Sequence, residues 1–319
     1  MGKLSTIILF ILIVGQSYGQ VSLSCLVEET AADSVLKRTI KTHTTIKPAI
    51  RQPNSLTNNS FKVEGLADLN YIQNIRPEYK LGAGIQIQSL LNDKWHLRLA
   101  GVQGVNLTDS VFNPKSYINS YGKTTNHYTD IRSRVAFTPN DIFNFQIGLD
   151  HNFIGEGNRS LLLSDFGKPY PFGEIRARFW RLEYTVLYQF FKEKDENKWE
   201  GKFGSSHHVS FNATKWLNFG IFESVIFQPK DTLLNRGFDA EYLNPLVFYR
   251  PQEYSLGSSD NVLIGLEMSI HYKSHTLYSQ FILDEFSLTE LRGKTGWWAN
   301  KFGVQVGVKG SFKLGNESF

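Results

Sequence analysis

The sequence predicts an all-β chain, an antiparallel transmembrane β-barrel of the outer-membrane kind, and three observations predict it. The N-terminus reads as a secretory signal, the chain past residue 61 is a series of short segments alternating apolar and polar residues, and the gaps between those segments are short or long rather than uniform. A strand presents successive side chains to opposite faces, so an alternating segment is a wall between two different surroundings. In a membrane barrel one of these is lipid and the other a polar interior.

The first element is the signal. Lys3 supplies the positive start, residues 6–14 (TIILFILIV) form an unbroken apolar run, and Ser17-Tyr18-Gly19 places small residues where a signal peptidase inspects them. Cleavage is expected before Gln20. The run is too short to span a bilayer, which takes roughly 20 apolar residues. Cys25 is the single cysteine, so no intrachain disulfide forms, and Ser22 and Leu23 fit a lipoprotein signal poorly. The organisation expected is a signal peptide over 1–19, a polar periplasmic segment over 20–60 with a short helix near 31–38, and a barrel over 61–319.

Within the barrel region the alternation predicts strands over 62–71, 81–90, 95–105, 131–137, 142–149 and 172–180, then 182–191, 207–215, 217–227, 262–272, 276–283 and 301–309. Many approach the ~9–11 residues of a tilted transmembrane strand. Ile175, Ala177 and Phe179 oppose Glu174, Arg176 and Arg178; Phe302, Val304, Val306 and Val308 oppose Gly303, Gln305, Gly307 and Lys309. Val262, Ile264, Leu266, Met268, Ile270 and Tyr272 oppose Leu263, Gly265, Glu267, Ser269 and His271 in the same way. Connections are tight at 215–216 and 272–275 but long at 106–130, 150–171 and 229–261, as in barrels with short periplasmic turns and long outer loops.

Composition agrees. The chain is 14% aromatic, with 24 Phe, 14 Tyr, 26 Gly and only 2 Met, which suits aromatic belts and a bending wall. The mean hydropathy of −0.27 does not count against a barrel, because only alternate residues face lipid. The alternative is a periplasmic β-sandwich, since alternation alone does not separate lipid from core. A net charge of +4 spread along 319 residues, without a basic cluster, excludes nucleic acid as an expected partner.

Between and within the strands stands an ordered run of motifs: NFIGEGNRSLLLSD at 152–165, YPF at 170–172, RGF at 236–238, YLNP at 242–245, FYRPQEYSLGS at 248–258, DN at 260–261, LDEF at 283–286 and GWWANK at 296–301. In these the chain resembles the Wzi-type capsule assembly outer-membrane protein family, most closely its Bacteroidetes branch, which is related to gliding-motility-associated outer-membrane proteins. The resemblance implies an outer-membrane barrel that binds capsular or exopolysaccharide at the cell surface and supports its assembly. Outer-membrane lipid and other surface or motility proteins are the further partners it implies. Members of the family are considerably longer, so the resemblance implies either a shorter barrel or a chain without its last strands. Two rival functions stand beside it: a structural role in gliding motility or adhesion, and a simple diffusion channel.

The candidate polysaccharide-binding residues are Arg159, Asp165, Tyr170, Phe172, Arg250, Glu253 and Asp260. Their long connections combine charged groups with aromatic faces, the two features a hydroxyl-rich polymer engages. The competing reading makes Arg159 and Asp165, or Arg250, Glu253 and Asp260, structural braces of their loops. Tyr170 and Phe172 are stacking platforms that prolines would hold in a long loop, whereas Trp297-Trp298 fits an interfacial belt. His207-His208 point to opposite faces of a strand, which predicts a structural pair and no metal. No enzyme is expected: HExxH and GxSxG are absent, Leu288 breaks the phosphate-loop pattern before Gly293-Lys294-Thr295, and Asp284-Glu285 alone is a weak carboxylate pair. No cofactor is expected either.

Overall fold

The computed structural model describes residues 21–22, 59–72, 78–106, 127–157, 160–165, 168–195, 198–229, 240–244, 261–284, 293, 301–310, 313–314 and 317–318. The strands are β1 (Val21–Ser22), β2 (Ser60–Ile72), β3 (Glu78–Leu91), β4 (Trp95–Asn106), β5 (His127–Phe137), β6 (Phe143–Asp150) and β7 (Tyr170–Phe179). They continue as β8 (Leu182–Asp195), β9 (Lys198–Asn212), β10 (Leu217–Phe227), β11 (Asn261–Tyr272), β12 (His275–Asp284) and β13 (Lys301–Gly310). A two-residue ribbon, β14 (Lys313–Leu314) with β15 (Glu317–Ser318), ends the described chain. β1 to β13 form one sheet in strict sequence order, each strand antiparallel to the next. Among the described residues no ladder joins β13 back to the first strands.

Each of the twelve predicted strands is present. The largest shift in bounds is in β9, which begins at Lys198 rather than near His207. The lead-in is not wholly apart from the sheet, since Val21 and Ser22 pair with Tyr71 and Asn70. The signal run, Cys25, the helix near 31–38 and Trp297-Trp298 lie outside the described residues.

Odd-to-even turns are tight: residues 92–94, 138–142, 180–181, 213–216 and 273–274. Asn92 and Asp93 both have positive φ, 51° and 53°, at the centre of a turn closed by the Lys94 N–H donating to the Leu91 carbonyl at 3.2 Å. The longer connections, including 107–126, 151–169, 228–260 and 285–300, leave from the other ends of the strands.

The two faces of the sheet are inverted relative to a water-soluble protein. Along β3, Leu81, Ile85, Ile87 and Leu91 are exposed while Gln86 and Gln88 between them are buried. The same holds for Leu97 and Leu99 against His96 on β4, and for Phe145 and Ile147 against Gln146 on β6. Ile85 is 58% exposed, Ile147 63% and Val306 67%, yet Arg134 is 2% exposed and Asp150 1%. The apolar face therefore looks outward, and the charged face looks inward as predicted for Glu174, Arg176 and Arg178 of β7. One departure is Val262. It shares the outward face of Leu266 but is buried with Val225, Phe227 and Tyr242. A short 3-10 turn (Ala240–Leu243) brings Tyr242 there, and its carbonyls accept hydrogen bonds from Ser205 Oγ and, at Leu243, Tyr188 Oη.

The inner face also has a small apolar nucleus. Ile154 and Leu162, from the β6–β7 connection, pack on Phe222 with Leu163, Leu263 and Ile282. That connection thus folds across the inner face instead of standing away from the sheet.

Candidate functional site

The inner face of β2 to β8 carries a continuous polar network, and register builds it. Arg98 of β4 stands directly opposite Arg134 of β5. Like charges in that position repel. Asp150, at the end of β6, resolves the conflict: its Oδ2 accepts from Arg134 Nε at 3.2 Å and from Arg98 Nη1 at 3.4 Å. Arg98 Nε also donates to Gln86 Oε1 at 2.7 Å, and Gln86 in turn donates to Glu64 at 3.2 Å. On the other side Arg134 Nη1 donates to Gln146 at 2.8 Å, Gln146 donates to Glu174 at 3.1 Å, and Arg176 donates to Glu174 at 2.6 Å. Arg178 pairs with Glu183 at the end of the row. Charge-assisted bonds of this kind are the stronger ones, and in a buried setting they resist separation.

Arg134 is the hub. Beyond Asp150 and Gln146, its Nη2 donates to the His151 carbonyl at 2.8 Å and to Asn152 Oδ1 at 2.9 Å. Its guanidinium lies 4.3 Å from the centre of the Phe172 ring. One arginine thereby fixes the point where the chain leaves β6 and enters the inserted segment.

This geometry corrects the reading of Tyr170 and Phe172. Neither is in a loop; both belong to β7 and face inward. Phe172 is buried against Arg134, and Tyr170 Oη accepts from Gln189 Nε2 at 3.0 Å and from Asn152 Nδ2 at 3.4 Å. The Phe172 ring is covered by the Arg134 guanidinium, and the Tyr170 hydroxyl is held within the sheet. Pro171 is compatible with the strand because it pairs with Leu149 on one side only, the β7–β8 ladder starting at Phe172. Asp165 is half-buried at the end of the inserted segment. Arg159, Arg250, Glu253 and Asp260 lie outside the described residues.

Further round the sheet the inner face remains polar and hydrogen-bonded. His208 Nε2 lies 2.8 Å from Glu267 Oε1, while His207 faces outward beside the Tyr184 ring, as opposite faces require. Ser206 Oγ donates to Gln189 at 3.0 Å, and Asn218 Nδ2 donates to both Ser210 and Asn212 at 2.8 Å. Among the described residues, Arg176 Nε, Thr185 Oγ1 and His208 Nδ1 have no hydrogen-bond partner. Register sets these three residues side by side on β7, β8 and β9. Among the described residues no group of three or more His, Cys, Asp or Glu side chains is arranged to hold a metal.

No family model and no curated protein matches this chain. Among solved structures, the chain is similar to the NanC porin at 10% sequence identity, with 68% of this chain and 87% of that one covered and a TM-score of 0.32.

Proposed function

We propose that the chain is an outer-membrane β-barrel that binds a surface polysaccharide and supports capsule or exopolysaccharide assembly. The observation that carries the membrane half is the inversion of the two faces. Exposed apolar surface costs about 25 cal/mol per Å² in water, and a sheet with Ile85, Leu99, Ile147, Leu266 and Val306 outward has a whole face of it. In lipid that cost disappears, and the buried charges become the lining of a polar interior. The tight-turn ends support the same reading. Trp95, Phe143, Phe179, Trp180, Trp216 and Tyr272 are all exposed there, where a belt of aromatic rings would meet headgroups.

The polysaccharide half rests on the motif run in the long connections and on the Wzi-type resemblance it carries. The inserted segment favours this over a simple diffusion channel, because it fills inner-face space that a channel would leave open. The Bacteroidetes branch keeps a role in gliding motility or adhesion as the second reading.

Two measurements test the proposal. A closed barrel leaves no strand edge free and resists detergent until heated. The native protein, recovered with outer membranes, is therefore expected to change gel mobility on boiling; unchanged mobility and recovery from the soluble periplasm would refute the membrane half. For the second half, Arg159→Ala and Arg250→Ala barrels that keep this heat-dependent shift are expected to retain less capsular polysaccharide at the cell surface. Normal retention by both variants removes these two arginines from the site. Loss of the shift together with retention makes them braces.

A further inference from the structure

Most of the outer wall is exposed apolar surface, but one sector of it is not. Tyr188, Ser205, Val225 and Val262 form a single outward row across β8, β9, β10 and β11. Ser205, Val225 and Val262 are buried, and so are Val186, His207 and Glu223 in the next outward row towards the tight turns. One row further on, the wall opens. Along β10 exposure rises from 0% at Val225 to 45% at Ile221, and along β11 from 4% at Val262 to 50% at Leu266. Nearness to the long-connection end is not the cause, because Leu81 of β3 and Phe302 of β13, similarly close to that end, are well exposed.

Over the first of these rows lies the turn at Tyr242 and Leu243. The Tyr242 ring packs with Val225 and Val262 and lies 4.7 Å from the Phe227 ring, which lies 5.6 Å from that of Phe203. The backbone is held as well: the Tyr242 carbonyl accepts from Ser205 Oγ at 3.0 Å and the Leu243 carbonyl from Tyr188 Oη at 2.7 Å. Two features that lipid would reject are thereby matched to each other. An unsatisfied carbonyl costs several kcal/mol in hydrocarbon, so irregular backbone reaches membrane depth only where protein buries it. An outward polar group is equally out of place against acyl chains, and Ser205 is the middle residue of β9. Here Ser205 and Tyr188 supply the donors that the turn needs, and the Tyr242 ring supplies the apolar cover that the wall needs.

We propose that this sector of the outer wall is a docking surface for the chain's own Tyr242–Leu243 turn inside the hydrocarbon layer, and that lipid is excluded from it. The proposal rests on the membrane-barrel reading above. The β10–β11 connection is then not wholly an outer loop, since at Tyr242 and Leu243 it lies against the flank of the barrel. The wall meets acyl chains at Ile85, Ile221 and Leu266 and meets protein at Val225 and Val262.

The test is methyl-labelled protein in phospholipid nanodiscs, read by nuclear Overhauser contacts and made only on preparations that show the heat-dependent gel shift. In wild-type protein the methyl groups of Ile85, Ile221 and Leu266 are expected to contact acyl chains. Those of Val225 and Val262 are expected to contact the Tyr242 ring and no acyl chain. Tyr242→Ala should bring acyl contacts to both valines and leave those of Ile85 unchanged. If Tyr242→Ala does not fold, the wild-type pattern decides alone. Acyl contacts at Val225 and Val262 in wild-type protein give the sector to lipid and overturn the proposal. So does a folded Tyr242→Ala whose two valines stay shielded, because another element or a second copy of the chain then covers them. Absence of the gel shift, or of acyl contacts at Ile85 and Leu266, is instead a failure of the barrel reading.

Discussion

Replacing Arg134 with methionine is expected to lower the stability of the folded protein by about 3–5 kcal/mol, the usual cost of removing one partner from a buried ion pair. Methionine keeps an unbranched apolar stem but loses the four hydrogen bonds and the guanidinium that lies over the Phe172 ring. Asp150 would keep the longer bond to Arg98 and its contact with the His151 backbone N–H, while Gln146 and Asn152 each lose a donor. The measurement is the urea midpoint for unfolding from phospholipid vesicles. Arg134→Met with Asp150→Leu should recover part of the loss, since the uncompensated carboxylate is then gone. A loss below about 1 kcal/mol for the single variant is the behaviour of a solvated surface pair and would deny Arg134 its place as hub.

How far the sequence reveals this structure depends on what each feature needs. Strands need only a two-residue period, and where the two faces differ sharply, as with Val304, Val306 and Val308 against Gly303, Gln305 and Gly307, the period is plain. The first half of β9 has no such contrast. Trp199 and Phe203 share a face with Gly201 and Ser205, and Ser205 is covered by the Tyr242 carbonyl, so the apolar face is interrupted at every second position and the alternation is weak before His207. Tyr170 and Phe172 mislead because prolines usually mark loops, and nothing local announces that one flank of Pro171 is unpaired. The Arg134 network is harder still. Arg134 and Asp150 are 16 residues apart and Arg98 and Asp150 are 52 apart, so the network exists only once four strand registers are known. The segment between β6 and β7 is legible as an unusual motif run at 152–165, but its partners Gln280 and Lys309 lie more than a hundred residues away.

Arginine in place of Ile85 is expected to destabilise the protein by about 2–4 kcal/mol, and the same change at Leu91 by about 0–1 kcal/mol. Both residues belong to β3 and point outward, Ile85 near the middle of the strand and Leu91 at its tight-turn end. Ile85 faces Gly65 and Gly101 across its two ladders, so the new side chain meets no crowding from either neighbour. Its effect therefore reports the surroundings of the outer face rather than a clash. In water an exposed substitution of this kind usually changes stability by no more than about 0.5 kcal/mol, and position along the strand makes little difference. In a bilayer the cost of an arginine depends on depth, because near the headgroups the guanidinium reaches water and at the midplane it does not. The informative quantity is thus the difference between the two sites, read as urea midpoints from vesicles of one lipid composition. A gap of about 2 kcal/mol or more between Ile85→Arg and Leu91→Arg is the signature of a membrane-spanning wall. Small and equal effects at the two sites would put the outer face of β3 in water, and the membrane assignment would fall with it.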